Sequence, residues 1–169
     1  MKRYCFDTSG LSNPLEFLPE DIHGWLWVRV CETIESGTIA VTTEIYEEMT
    51  HIPGMVGACI RANRHNLLLE VGDAGWPWEA YVDSATALQL THREFISEFT
   101  GGSPKTVCLN DITIIAMSQS LRLPLVSMEA RIIDPGAKKR KIPNVCDLEG
   151  IPHRVFNDFL RAEGIVKPR

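Results

Sequence analysis

Near its start the chain reads Arg3-Tyr4-Cys5-Phe6-Asp7-Thr8-Ser9, and this segment sets the plan of the whole molecule. Its apolar residues predict a short buried strand, and Asp7 comes directly after that strand. An acid in this place has two explanations, which the residues alone leave open. It caps the following turn, with Thr8 and Ser9 assisting, or it is a ligand for a cation.

Strands and helices alternate along the rest of the chain. Further strands are predicted at residues 38–41 and 123–127, and a polar loop at residues 131–143. Helices are predicted at residues 20–36, 43–49, 56–63, 78–89, 92–98, 111–121 and 155–163. This order predicts an α/β fold in which helices wrap a parallel sheet, as one domain over residues 1–169.

The composition restricts the class of protein. The 169 residues are 44% hydrophobic and 23% charged, which suits one domain with a sizeable core. A net charge of −5 argues against a protein that coats nucleic acid, but not against an enzyme that meets it locally. No apolar run approaches the roughly 20 residues of a membrane span. Since Asp7 also does not suit a signal peptide, we expect a cytoplasmic protein whose five cysteines are reduced.

Three further acids lie at the ends of predicted elements. Glu129 follows the strand at 123–127, whereas Glu48 and Asp111 lie on helices that could return to the same edge of the sheet. Each has an ordinary explanation. Glu48 belongs to a solvated acidic helix face, Asp111 interacts with the dipole of the helix that it opens, and Glu129 is a loop acid. Together with Asp7, however, they would repel one another unless a cation neutralised them. Oxygen ligands favour Mg²⁺ or Mn²⁺, whose usual work is phosphate-ester chemistry.

The order of these motifs resembles the PIN domain, a family of Mg²⁺/Mn²⁺-dependent ribonucleases. That family has a strand ending in Asp-Thr/Ser-Ser/Asn, a strand followed by Ser/Thr and a helical Glu, an Asp opening an apolar helix, and a strand ending in Ser/Thr-x-acid. The matching segments here are Asp7-Thr8-Ser9, Val41-Thr42-Thr43 with Glu47-Glu48-Met49, Asn110-Asp111-Ile112 and Ser127-Met128-Glu129.

Within that family, the chain resembles DUF4411, a PIN-like group of prokaryotes. The similarity rests on a tryptophan in the first long helix, Trp25 or Trp27, and on two later segments, Lys141-Ile142-Pro143-Asn144-Val145-Cys146 and Leu160-Arg161-Ala162-Glu163-Gly164. The resemblance implies a PIN-like three-layer α/β/α sandwich around a mainly parallel sheet.

The resemblance also implies a metal site. Asp7, Glu48 and Asp111 would be the direct ligands. Glu129, where many PIN nucleases have Asp or Asn, would either lie behind these ligands or bind the metal through a water. Hydrogen bonds from supporting residues would orient these carboxylates or a phosphate; these residues are Thr8, Ser9, Asn110 and Ser127. The basic run Lys138-Lys139-Arg140-Lys141 either contacts RNA phosphates or forms a solvated loop.

The implied activity is that of an endoribonuclease, the toxin of a toxin–antitoxin pair. Its partners would be an RNA substrate, a protein antitoxin encoded nearby, and a second copy of the chain in a homodimer. Two alternatives stay open. One is a DNA-directed enzyme related to the 5′ nucleases, and the other is a PIN-like module that binds RNA or protein without cleaving it.

Overall fold

The structure is a computed structural model that describes residues 1–102, 106–134, 136–137 and 139–166. Of the residues predicted to act on RNA, Lys138 therefore lies outside the described residues. Along the described part of the chain, no helix combines the length and the apolar character needed to cross a membrane. The five cysteines are free thiols, as predicted.

A parallel sheet forms the centre of the fold. The four described strands are β1 (Tyr4–Phe6), β2 (Ile39–Ala40), β3 (Leu125–Val126) and β4 (His153–Arg154). They lie in the order β2-β1-β3-β4, and each neighbouring pair is parallel. β1 is thus central, with β2 on one side and β3 on the other. The carboxyl ends of all the strands meet at the same edge, where ligands of such sheets bind.

Nine α-helices surround the sheet in the described residues. They are α1 (Ser9–Phe17), α2 (Glu20–Glu35), α3 (Thr43–Met49), α4 (Gly54–Ala62), α5 (Arg64–Leu67), α6 (Trp78–Thr91), α7 (Leu109–Leu121), α8 (Ile142–Glu149) and α9 (Phe156–Ala162). Two 3₁₀ turns, Arg93–Phe95 and Ser97–Phe99, replace the helix predicted at residues 92–98.

The core has two layers, one on each face of the sheet. Tyr4 and Phe6 point to the same face, where their ring centroids lie 5.2 and 4.9 Å from that of Phe159 on α9. Trp27 of α2 stacks on Phe156 beside them. Since side chains alternate along a strand, Cys5 points to the opposite face, and α7 packs against β1 there. The result is the predicted three-layer α/β/α arrangement.

Several elements differ from the prediction. α1 occupies the region from Ser9 to Phe17, and α8 and β4 follow the basic run; no helix or strand was predicted at these places. In α2, residue Ile22 is exposed although it continues the apolar spacing of Leu26, Val30 and Ile34. The backbone of α2 is non-helical at His23, so the first turn leaves the buried face.

Gly10 allows α1 to pack directly on the sheet. A Cβ atom at this position would lie 2.9 Å from the Val126 carbonyl oxygen and 3.2 Å from the Phe6 ring. Any larger residue would therefore push α1 away from β1 and β3. This close approach keeps the start of α1, which begins at Ser9 directly after Thr8, at the carboxyl edge of the sheet.

Candidate functional site

Asp7 lies at the carboxyl edge, where β1 and β3 end side by side. Its backbone N–H donates to the Val126 carbonyl at 3.0 Å, and its side chain is buried, with 5% of the residue exposed. Asp7 Oδ2 accepts hydrogen bonds from both the backbone N–H, at 3.0 Å, and the hydroxyl of Ser9. The Ser9 hydroxyl in turn accepts from the Met128 N–H at 3.0 Å. Ser9 therefore fixes Asp7 and ties it to the segment after β3.

Glu48 is held from two sides by predicted supporting residues. Thr8 Oγ1 donates to one carboxylate oxygen at 2.7 Å, and Asn110 Nδ2 donates to the other, also at 2.7 Å. These bonds reach Glu48 on α3 from the end of β1 and from the first turn of α7. They orient its carboxylate at the same edge of the sheet as Asp7.

Asp111 lies in the first turn of α7. Its Oδ2 accepts from the Cys108 N–H at 2.8 Å, which is the return bond of a helix capping box. The ordinary explanation of this acid as a helix cap is thus realised. It does not prevent a second role, since the capping bond uses only one of the two carboxylate oxygens.

Asp7 and Asp111 have pKa values well above the usual range of aspartate. Burial raises the pKa of Asp7 to about 6, opposed by the bonds from Ser9 and reinforced by the charges of Glu129 and Glu48. Burial likewise raises the pKa of Asp111 to about 7, opposed by the Cys108 bond and reinforced by Asp7 and Glu129. The charges of neighbouring acids therefore disfavour the ionised forms of Asp7 and Asp111.

These acids also lack basic partners in the described ranges. The ion pairs found there do not include Asp7, Glu48 or Asp111. Buried acids are normally paired or bound to a metal. The donor set of carboxylate oxygens fits a hard divalent cation.

The side chains do not already form a cage, however. No group of three or more His, Cys, Asp or Glu residues among the described positions is arranged so that it could hold a metal ion. Each carboxylate accepts hydrogen bonds from its own neighbours instead. That Asp7, Glu48 and Asp111 share one ion therefore stays a prediction.

Glu129 differs from the other three acids because it is neutralised. Its Oε1 accepts from Lys141 Nζ at 2.8 Å, and its Oε2 accepts from the Ile142 N–H at 2.9 Å, at the start of α8. Both oxygens are thus engaged by the segment that follows the polar loop. This geometry agrees with an indirect role of Glu129 toward a metal.

Ser127 lies at the end of β3 but bonds away from the acids. It is fully buried, and its hydroxyl lies 2.7 Å from His153 Nε2. Burial lowers the pKa of His153, with the charge of Arg131 acting in the same direction. In this arrangement Ser127 joins β3 to β4, and its hydrogen bonds in the described residues do not reach the four acids.

The basic run is less available than its sequence indicates. Lys139 is exposed, but the Arg140 guanidinium lies 3.7 Å from the centroid of the Phe95 ring, and its Nη1 is 2.8 Å from His92 Nδ1. His92 is buried and also contacts Glu149, at 2.7 Å. Arg140 therefore anchors the loop to the protein, and Lys141 is engaged by Glu129. Contact of this run with RNA stays a prediction.

A groove opens beside Glu48 and Thr8. It has a volume of about 620 Å³ and is formed by α1, the start of α2 and the segment after α3. Its lining includes Leu15 and Ile52, with the acids Glu16 and Asp21 at the rim. Such a recess has room for an apolar ring next to the carboxylates, whereas its acidic rim disfavours a phosphate.

Sequence reasoning missed the place of Lys141 in the site. It assigned Lys141 to substrate contact because the residue belongs to a basic run. The available signal was Pro143, since proline is favoured in the first turn of a helix. A helix beginning at Ile142 would have placed Lys141 immediately before it, next to the end of β3.

The chain matches a known protein family. A family model described as "Domain of unknown function (DUF4411)" matches residues 4–166, almost the whole chain. The chain therefore belongs to this family. No curated protein matches it.

Proposed function

We propose that this member of the DUF4411 family is a divalent-metal-dependent endoribonuclease with a PIN-like active site. The observation that carries the proposal is the gathering of Asp7, Glu48 and Asp111 at the carboxyl edge of a parallel sheet, without basic partners among the described residues. Buried acids without a basic partner, with pKa values raised as those of Asp7 and Asp111 are, are costly for a fold and are typical of functional sites.

Asp7, Glu48 and Asp111 are the residues that would hold Mg²⁺ or Mn²⁺. When bound, such a cation lowers the pKa of a water, which then attacks phosphorus as hydroxide, and it supplies a positive charge that stabilises the phosphate oxygens. The chain supplies the geometry. Thr8 and Asn110 keep the Glu48 carboxylate aimed at the edge of the sheet.

Burial is the second contribution of the protein. Asp7 is almost fully enclosed, so its charge acts through a medium of lower polarity than water, where attraction to a cation or repulsion from an acid is stronger. Ser9 holds Asp7 in one orientation, which removes the need to reorganise it during the reaction. We propose that the groove beside Glu48 receives a base next to the cleaved phosphate.

The activity is tested on labelled single-stranded RNA. We expect cleavage with Mn²⁺ or Mg²⁺, complete loss in EDTA, recovery when Mn²⁺ is added back, and products with a new 5′-phosphate and 3′-hydroxyl. The variant Asp7→Asn should be inactive, whereas Asp83→Asn, an exposed acid on α6, should act as wild type. Cleavage that persists in EDTA or in Asp7→Asn would contradict the proposal.

A module that binds RNA or protein without cleaving it is the second candidate. It is favoured by the finding that, among the described residues, no three side chains are already arranged for a metal. A titration with Mn²⁺ separates the two candidates. The nuclease should bind the ion and lose it in Asp7→Asn, whereas the binding module should show no carboxylate-dependent site.

The substrate and biological role follow from the PIN resemblance. We propose RNA over DNA, and the same assay with single-stranded and flap DNA tests this choice. We also propose that the protein is a toxin held inactive by an antitoxin encoded nearby. Expression should arrest growth, Asp7→Asn should not, and co-expression of the neighbouring gene should restore growth.

A further inference from the structure

Lys141 places a positive charge at the edge of the carboxylate cluster. Its Nζ lies 2.8 Å from Glu129 Oε1, and the side chains of Lys141 and Glu129 are only 25% and 19% exposed. Glu129 borders the same site, because the N–H of its neighbour Met128 donates to the Ser9 hydroxyl, which in turn donates to Asp7. In agreement with this, the charge of Glu129 acts on both Asp7 and Asp111. The ammonium group is therefore part of the site and is not a solvated loop charge.

The chain fixes the backbone of Lys141 from both sides. Before it, the Arg140 N–H donates to Thr106 Oγ1 at 3.3 Å, and the Arg140 carbonyl accepts from the Val107 N–H at 2.8 Å. At Lys141 itself, the N–H donates to Asn144 Oδ1 at 3.2 Å. A lysine held in this way reaches Glu129 without having to order a free loop.

We propose that Lys141 is a resident cation that occupies the Glu129 side of the site and restricts it to a single divalent ion. The inference rests on the proposed function, in which Asp7, Glu48 and Asp111 hold that ion. In sites with two metals, the ions lie about 3.5–4 Å apart and need carboxylates on both sides. Here the oxygens of Glu129 are already engaged, and the ammonium repels a second dication.

Lys141 also keeps donors for a substrate. An ammonium group has three N–H donors, and the bond to Glu129 uses one of them. No acceptor for the others is found in the described parts of the chain, so they would be able to donate to a non-bridging oxygen of a substrate phosphate. Lys141 would thus bind a phosphate oxygen and so take the role that the second metal has in a two-metal enzyme.

The test is the number of Mn²⁺ ions bound, measured by calorimetry and by the electron spin resonance of free Mn²⁺. We expect one ion in wild type, two in Lys141→Gln, which frees Glu129, and one again in the double variant Lys141→Gln/Glu129→Gln. Lys141→Arg, which keeps the charge, and Lys139→Gln, which alters an exposed neighbour, should each bind one ion.

Two ions in wild type, or one in folded Lys141→Gln, would overturn the inference. Circular dichroism first establishes that each variant is folded. If Lys141→Gln does not fold, wild type and Lys141→Arg decide the question, because two ions in either one exclude a resident cation. A protein that binds no Mn²⁺ dependent on Asp7 would instead overturn the proposed function, and this inference with it.

Discussion

The two sides of the candidate site treat negative charge in opposite ways. On the open side, formed by Asp7, Glu48 and Asp111, the described residues offer hydrogen bonds but no basic partner. On the paired side, Glu129 is matched by Lys141 and by the N–H at the start of α8. The same fold that pairs one carboxylate with a lysine leaves three neighbouring acids without a basic partner among the described residues.

Under the proposed function, the paired side contributes to stability and the open side is kept for a ligand. Burying an unpaired charge is strongly unfavourable, whereas a buried pair with further hydrogen bonds is tolerated. A fold that keeps the open side must be stable for other reasons, such as the apolar layers around Phe6 and Trp27. Where a protein leaves buried acids without basic partners, the place is usually a functional site.

The largest predicted effect separates the two sides by activity. Asp7→Asn should lower RNA cleavage by more than about 100-fold, because it removes a direct ligand, whereas Glu129→Gln should lower it by about 10-fold, which is typical of outer residues of a metal site. The measurement is kcat/KM on single-stranded RNA in saturating Mn²⁺. Equal losses in the two variants would remove the distinction between an open and a paired side.

Much of the open side could be predicted from the sequence, because its signals are local. The apolar residues before Asp7 predict β1, and Thr42, which caps α3 by accepting from the Ile45 N–H, predicts the helix that carries Glu48. The apolar run after Asp111 predicts α7. Parallel strands then bring the carboxyl ends together whatever the details of the loops.

The paired side could not be predicted, because its signals are weak or contradictory. Pro143 and the basic run read as a loop, although Ile142–Glu149 is a helix, and β4 is a strand of only two polar residues, His153–Arg154. α1 was not predicted for a similar reason, since it contains Pro14, and proline is disfavoured in the interior of a helix. In each case burial against the rest of the protein decides the structure, which a local pattern does not contain.

The second prediction concerns the anchor of the paired side. Arg140→Ala should lower the free energy of unfolding by about 2–3 kcal/mol, because it removes a cation–π contact with Phe95 and leaves the buried His92 without one of its partners. Urea unfolding measures this loss. The matched control is Lys139→Ala, an exposed neighbour that should stay within about 0.5 kcal/mol of wild type. Equal stability of the two variants would show that the loop is not anchored through Arg140.

The third prediction is a mutation that increases stability, whereas most mutations decrease it. In metal-free protein, the pKa of Asp111 is raised from 3.8 to about 7, so the folded state binds more protons than the unfolded state in that range. Wild type should therefore lose stability as the pH rises from about 4 to about 7. Asp111→Asn has no carboxyl group to titrate at this position, so its stability should not fall in this way. Its amide oxygen can still accept the hydrogen bond from the Cys108 N–H.

We therefore expect Asp111→Asn to be more stable than wild type by about 1 kcal/mol or more at pH 8, since each pKa unit corresponds to about 1.4 kcal/mol. The advantage should disappear near pH 4. Glu129→Gln should show the opposite, a loss of about 1 kcal/mol at pH 8, because it breaks the pair with Lys141. Both are measured by urea unfolding in EDTA. A clear destabilisation by Asp111→Asn at pH 8 would mean that Asp111 acts mainly as a helix cap.

The smallest predicted effect concerns Lys139, the exposed member of the basic run in the described residues. If it contacts an RNA phosphate, Lys139→Ala should raise KM by about 2-fold and reduce the slope of log KM against log salt by about 0.7, the value for one phosphate contact on a single strand. The value of kcat at saturation should not change, because Lys139 lies outside the carboxylate cluster. The control is Arg29→Ala, an exposed cation on α2 that pairs with Glu32, for which neither KM nor its slope should change. A loss of kcat at constant KM would place Lys139 with Lys141 in the chemistry of the site, and the paired side would then extend one turn further along the loop than its hydrogen bonds indicate.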